Sequence, residues 1–309
     1  MAYPTPTIDT GAFSDLQLKV AAESSLQAIY PELVKIQDFA HTYSELEDKP
    51  GSSIVIPTYI LSAADEFDAE SNNYGSGVNE VKAATVNLDK HLVKSIQIDD
   101  RALGDTGIQW LKDGTAAVAT ALGRSLNAYV FGLMNETNIS ASAEFNVGTK
   151  ANPTAHKLYE IAATGNLSAP GWDDGLDVED SVVVLDPKNF ADLLGILDVY
   201  MYGGTEAVRY GYVPGLFGFK AVVCSTNLPS GTNGVIINRN SIGICSRYNA
   251  PLPGAYPTTF KVTDPNSGFT LGYRIFADLK SGYRYLAADA LVGAKILYDG
   301  KKAIRLVNS

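Results

Sequence analysis

Residues 181–229 constrain the fold more than any other stretch of this chain. Ser181-Val182-Val183-Val184-Leu185 is an apolar run without alternation, the pattern of a strand buried on both faces. Asp186-Pro187 stops it, and proline suits the first turn of a helix. The spacing predicts that helix over residues 187–199. A glycine-rich link follows, then a second apolar run, Lys220-Ala221-Val222-Val223-Cys224, and a polar exit, Asn227-Leu228-Pro229. Strand, helix and strand in this order predict a mixed α/β unit, which the reading extends over residues 181–285. Further strands are expected at 235–238, 241–246 and 260–263.

The remaining chain is organised around that unit. Residues 1–14 read as an extended arm, because Pro4 and Pro6 block helix. From Asp15 a stripe of Leu26, Ile29, Leu33, Ile36 and Ala40 predicts helix, interrupted at Pro31 and therefore two helices or one kinked helix. Residues 53–60 read as a strand ending at an Ile56-Pro57 break, and residues 78–98 as a second strand. The polar, acidic, glycine-bearing stretch between them makes a long hairpin. A projecting hairpin with little apolar surface is marginal alone and calls for a partner surface. A long helix is expected over 113–135, capped by Asp113 or Thr115. Its buried stripe includes Val118, Leu122, Leu126 and Val130; Arg124, Ser125 and Asn127 face away. Gly123 and Gly132 suggest close approach of another backbone. A short helix is expected at 154–163. Residues 286–306 read as helix or loop, then two strands, 294–298 and 303–307, joined by a turn at 299–301.

Composition excludes several functions. With 24 Lys plus Arg against 34 Asp plus Glu, the formal net charge is −10, unlike a nucleic-acid reader with a basic patch. Cys224 and Cys245 sit in apolar runs and read as small buried hydrophobes. There is no Cys-x-x-Cys. The first residues lack the basic and apolar regions of a signal peptide, and no apolar run reaches the ~18 residues that span a bilayer. A soluble protein made in a reducing cytosol is expected.

Catalytic and metal signatures fail one by one. His41, His91 and His156 share no ligand spacing. The run Asp65, Glu66, Asp68, Glu70, Asn72 evokes a calcium loop. Counted from Asp68, however, the required Gly and Glu positions hold Asn73 and Asn79. A solvated loop tip, or carboxylates that meet another subunit, is the reading; Tyr74 joins them as a candidate interface residue. Asp173, Asp174, Asp177, Glu179 and Asp180 lie too close in sequence for a glycosidase acid and base. No dinucleotide or phosphate-binding glycine loop and no nucleophile elbow is present. Several of the 17 tyrosines lie in Gly/Pro-rich loops: Tyr200, Tyr202, Tyr210, Tyr212, Tyr248 and Tyr256, suited to interfaces or to anchoring loops.

This order of elements resembles tailed-bacteriophage major capsid proteins, whose fold, named for a Hong Kong phage, is shared with encapsulins. The stretches that carry it are Gly51 to Pro57 entering the hairpin, Val86 to His91 leaving it, Asp186-Pro187, Gly218 to Val223, Asn227-Leu228-Pro229 and Gly293 to Leu297. The resemblance implies an α+β fold. Its parts would be an N-terminal arm and helix (1–48), an extended hairpin loop (49–98), a peripheral domain with a long spine helix (99–180), an axial α/β domain (181–285) and a C-terminal return to the peripheral domain (286–309). It implies a structural subunit, not an enzyme, with no catalytic residue, metal or cofactor. The subunit would assemble into hexamers and pentamers of an icosahedral virion head around double-stranded DNA, contacted without sequence specificity, and would be made in the host cytoplasm. Implied partners are further copies of itself, a portal, a separate scaffolding protein, since 48 residues are too few for a fused one, and in some members a decoration protein; no membrane is involved. No inter-subunit cross-link is expected, because none of Lys49, Lys82, Lys90 and Lys94 matches a cross-linking site. An encapsulin-type nanocompartment shell and a soluble α/β enzyme are the competing readings.

Overall fold

A computed structural model describes residues 15–43, 53–60, 80–99, 107–145, 154–163, 166–167, 176–196, 211–249, 258–264, 267–278 and 283–307. The helices are α1 (Asp15–Leu33), α2 (Gly107–Gly132), α3 (Thr154–Ala163) and α4 (Pro187–Ile196). The strands before α2 are β1 (Ala40–Tyr43), β2 (Ser53–Ile60), β3 (Glu80–Asn87) and β4 (Lys90–Asp99). Between α2 and α4 come β5 (Ser142–Glu144), β6 (Asn166–Leu167), β7 (Leu176–Asp177) and β8 (Ser181–Leu185). After α4 come β9 (Tyr212–Leu216), β10 (Phe219–Cys224), β11 (Gly234–Asn238), β12 (Ile242–Arg247), β13 (Thr258–Thr263), β14 (Thr270–Asp278), β15 (Tyr283–Ile296) and β16 (Ala303–Val307).

Two six-stranded sheets organise these elements. The first runs β1-β12-β15-β14-β13, with β4 along the other side of β15. The second runs β5-β16-β11-β8-β10-β9. The second sheet is covered on both faces, as the unbroken apolar runs predict. Val182, Val184, Ala221, Val223, Val235 and Ile237 face the main core. Their neighbours Val183, Leu185, Val222 and Ile236 face a second cluster with Leu158 of α3 and Phe190 and Leu193 of α4. The two-residue period of a strand splits each run between two cores.

Helices α1 and α2 pack side by side over the first sheet. Gly123 permits the contact: a Cβ there would lie 2.9 Å from Ile29 Cγ1 and 3.1 Å from Glu32 Cβ. Gly132 meets nothing within 4 Å, so the close approach expected there is absent. Thr120 Oγ1 reaches the Ala28 carbonyl at 3.4 Å and Asn127 Nδ2 donates to the Glu32 carbonyl at 3.0 Å. Asn127 is therefore buried against α1 rather than facing away. Helix α2 also begins six residues before its expected cap. Thr115 lies inside it, its hydroxyl bonded to the Leu111 carbonyl one turn back, while Asp113 accepts Gln109 Nε2 at 2.9 and 2.8 Å. Both cap-type side chains find partners within the helix, so neither starts it.

Other boundaries move for equally local reasons. Helix α1 runs through Pro31, which lies in its last turn. Strand β2 runs through Pro57, paired opposite Ala83. In a two-stranded ribbon the outer edge needs no donor, so proline is tolerated there. The expected single strand over 78–98 is two strands, β3 in the ribbon and β4 in the first sheet. Residues 181–285 do not form one unit, because β8 to β11 build the second sheet and β12 to β14 join the first. Residues 283–296 form the long strand β15, not helix or loop. Strand β16 is no hairpin partner of β15: a 3-10 turn at Tyr298–Gly300 carries the chain into the other sheet.

Burial also holds several protons more tightly, those of Tyr43, Tyr129 and Cys224 and, furthest, those of Cys245 and Tyr273. It pushes the Cys245 thiol up to about 11 and the Tyr273 hydroxyl up to about 12, the latter partly offset by the hydrogen bond with Ser25. Both groups hold their protons more tightly folded than unfolded. Their contribution is therefore complete below the unfolded values of 9.0 and 10.0 and is lost as pH rises through about 11 and about 12. Subunit melting temperature is expected to decline above roughly pH 9, and Cys245→Ala should make the first part of that decline shallower, Cys224 contributing the rest. An identical alkaline slope in the variant would contradict this assignment.

Candidate assembly surfaces

The β2–β3 ribbon has two unlike faces. Ile56 and Val86 turn inward and form a small buried cluster with Cys245 and Leu297, lined by Ile54, Ala84 and Leu88. The ribbon is thus anchored to its own subunit at the base, which its sequence did not suggest. On the other face Val55, Pro57 and Tyr59 point outward, with Val55 61% and Tyr59 56% exposed. Their cross-strand partners are Thr85, Ala83 and Val81. An exposed row of apolar and small residues along one face of a two-stranded ribbon is a surface suited to contact.

The acidic tip residues Asp65, Glu66, Asp68 and Glu70, with Tyr74, lie outside the described residues. So do Tyr200, Tyr202, Tyr210 and Tyr256. Tyr212 is a half-buried anchor whose hydroxyl donates to Asp38 Oδ2 at 2.6 Å, and the Tyr248 ring covers Gly272. Val118, Leu122, Leu126 and Val130 are all buried in the core between the helices and the sheets.

Beside the ribbon, charged groups tie strands together. Asp289 of β15, almost wholly buried, accepts Arg274 Nη2 at 2.9 Å and lies 3.0 Å from His91 Nε2. His91 thus pairs with a single carboxylate and holds no metal-ligand set; among the described residues no His, Cys, Asp and Glu cluster could hold a metal. Asp38 pairs with Lys220 at 3.0 Å, joining the segment after α1 to the second sheet. Lys82 of the ribbon reaches Asp299 of the crossover turn at 2.8 Å. Arg274 and Asp289 are 15 residues apart on neighbouring strands, the other pairs 182 to 217 residues apart, and no local motif announces them. Cys245 is buried as expected, whereas Cys224 is half-buried; both are free thiols. No helix among the described residues is long and apolar enough to cross a membrane.

A family model described as phage capsid protein matches residues 82–284, well over half of the chain. The chain belongs to the phage capsid protein family. It is a major capsid protein of the bacteriophage type, a structural subunit of the virion shell and not an enzyme. Solved structures share its α+β fold at low identity. The capsid of Cyanophage P-SCSP1u is 19% identical with a TM-score of 0.52, over 88% of this chain and 86% of that one. The capsid asymmetric unit of Cyanophage A-1(L) is 9% identical with a TM-score of 0.54, over 84% and 88%. A virus-like particle from Pyrococcus furiosus is 11% identical with a TM-score of 0.51, over 95% and 100%. No curated protein matches the chain.

Proposed function

We propose that this capsid protein builds a closed icosahedral head from hexamers and pentamers and encloses double-stranded DNA. The observation that carries the reading is the exposed row Val55, Pro57 and Tyr59 along one face of the β2–β3 ribbon. A neighbouring copy is its natural cover. The first sheet with α1 and α2 forms the peripheral domain, α2 serving as the spine helix. The second sheet with α3 and α4 forms the axial domain, completed by β16 from the end of the chain. The acidic tip with Asp65, Glu66, Asp68, Glu70 and Tyr74 meets another subunit. A separate scaffolding protein, a portal and, where the shell carries one, a decoration protein complete the partners, and synthesis is in the host cytoplasm. The net charge of −10 suits a wall that faces DNA without binding it tightly. Each inter-subunit contact needs to bury only about 1,000–2,000 Å², since many contacts act together.

Electron microscopy of the concentrated protein, alone and with a co-expressed scaffold, tests this. Closed shells with five-fold and six-fold capsomers are expected. Tyr59→Asp should abolish shells while leaving the melting temperature of the free subunit within a few degrees. A protein that stays monomeric under all these conditions overturns the proposal. A second reading, an encapsulin-type shell around protein cargo, is compatible with the fold shared with the Pyrococcus furiosus virus-like particle; purified shells that release protein but no nucleic acid would favour it.

A further inference from the structure

The ribbon joins its subunit through a built joint. Strand β3 ends at Asn87 and β4 begins at Lys90, so only Leu88 and Asp89 connect two different sheets. The joint crosses β15 at Gly293, where a Cβ would lie 2.0 Å from the Asn87 carbonyl oxygen and 2.7 Å from its carbon. The two backbones touch there, and any side chain would separate them. From the helix side, Tyr129 of α2 closes the joint. Its hydroxyl donates to Asp89 Oδ1 at 3.0 Å and accepts the Ala294 amide at 3.3 Å. The Ala294 carbonyl is a competing acceptor at 3.4 Å, but the closer, charged carboxylate forms the stronger bond. Lys90 Nζ stands 5.8 Å from the Tyr129 ring centroid. One hydroxyl thus ties the helix, the central strand and the joint.

We propose that Tyr129 and Asp89 are positioning residues that fix the angle at which the ribbon leaves the subunit, and so set the curvature and diameter of the shell. The proposal rests on the shell reading above. An eight-residue strand is roughly 27 Å long, so a tilt of about 10° at its base displaces its far end by about 5 Å. A displacement of that size changes which neighbouring surface the row Val55, Pro57 and Tyr59 meets. The other ties of the ribbon act differently: the Ile56–Val86 cluster is non-directional packing, and Lys82–Asp299 is an exposed ion pair worth little.

The test compares the parent chain with Tyr129→Phe, Asp89→Ala and Asp89→Asn. Free subunits are followed by thermal melting and by hydrogen exchange of the amides at residues 86–91. Assembled particles are sized by electron microscopy. Tyr129→Phe keeps the ring and its packing, so its melt should stay within a few degrees of the parent. Exchange at the joint should rise about tenfold in Tyr129→Phe and Asp89→Ala, and their particles should spread over several diameters. Asp89→Asn keeps an acceptor and should restore a narrow size distribution. Parental exchange in Tyr129→Phe, or shells of the single parental diameter, overturns the proposal. If Asp89→Ala does not fold, Tyr129→Phe decides alone. If the parent forms no shell, the shell reading fails instead, and the exchange arm still decides whether the hydroxyl holds the joint.

Discussion

Leu126→Ala is expected to lower the stability of the free subunit by about 2–5 kcal/mol. Leu126 is 1% exposed and lies in the main core with Leu122 and Val130 of its own helix and Ile36 and Phe39 beyond α1. Truncation removes the transfer free energy of the side chain and leaves a cavity between two helices and a sheet, which collapse poorly together. Against a total stability of about 5–15 kcal/mol, such a loss makes the subunit insoluble or temperature-sensitive before assembly begins. Val55→Ala is the control. That residue is 61% exposed, and an exposed change of this kind stays within about 0.5 kcal/mol. Melts of unassembled subunits separate the two. A Leu126→Ala melt equal to the parent's would mean that α2 does not carry the core.

Gly300→Ala is expected to cost a similar amount, about 2–5 kcal/mol, from two sources. Gly300 has φ of +72°, where a Cβ costs about 1–2 kcal/mol. That Cβ would also lie 2.0 Å from the Asn138 carbonyl oxygen, and overpacking of this kind costs about 1–3 kcal/mol. The turn is the only passage from β15 to β16, so a shift there propagates into both sheets. Gly132→Ala is the opposite case. It meets open space at the end of α2, and alanine's helix propensity should raise stability by up to about 1 kcal/mol. Chemical denaturation of the two variants should therefore move in opposite directions. Equal destabilisation by both would show that neither glycine is used as its surroundings indicate.

Much of the local structure was legible because its causes are local. The apolar run of β8, the Asp186-Pro187 stop, the helix Thr154–Ala163 and the buried stripe of α2 all follow from spacing and turn chemistry. The two-faced burial of β8 and β10 followed as well, since an unbroken apolar run has no polar face to offer water. The candidate contact surface was legible only in part. A two-stranded ribbon was expected from two strand patterns around an acidic stretch, but its inward anchor at Ile56, Val86, Cys245 and Leu297 brings together residues from three strands and the link after β15.

The sequence by itself determined the helices and the strands β2, β8, β10 and β11, and it carries no catalytic motif, because periodicity, proline and glycine act within a few residues. Tertiary structure decided which sheet each strand joins. Strand β15 carries Ala287, Ala288, Ala290 and Ala294, residues that favour helix when alone. It is extended because β4 holds one side and β14 and β12 hold the other, and because its small side chains let α2 lie close. The Asp289 pairs and the Tyr129–Asp89 bond have the same origin. Their partners are 15 to 198 residues apart, so no local pattern encodes them, and only the closing of the sheets brings the groups within bonding distance.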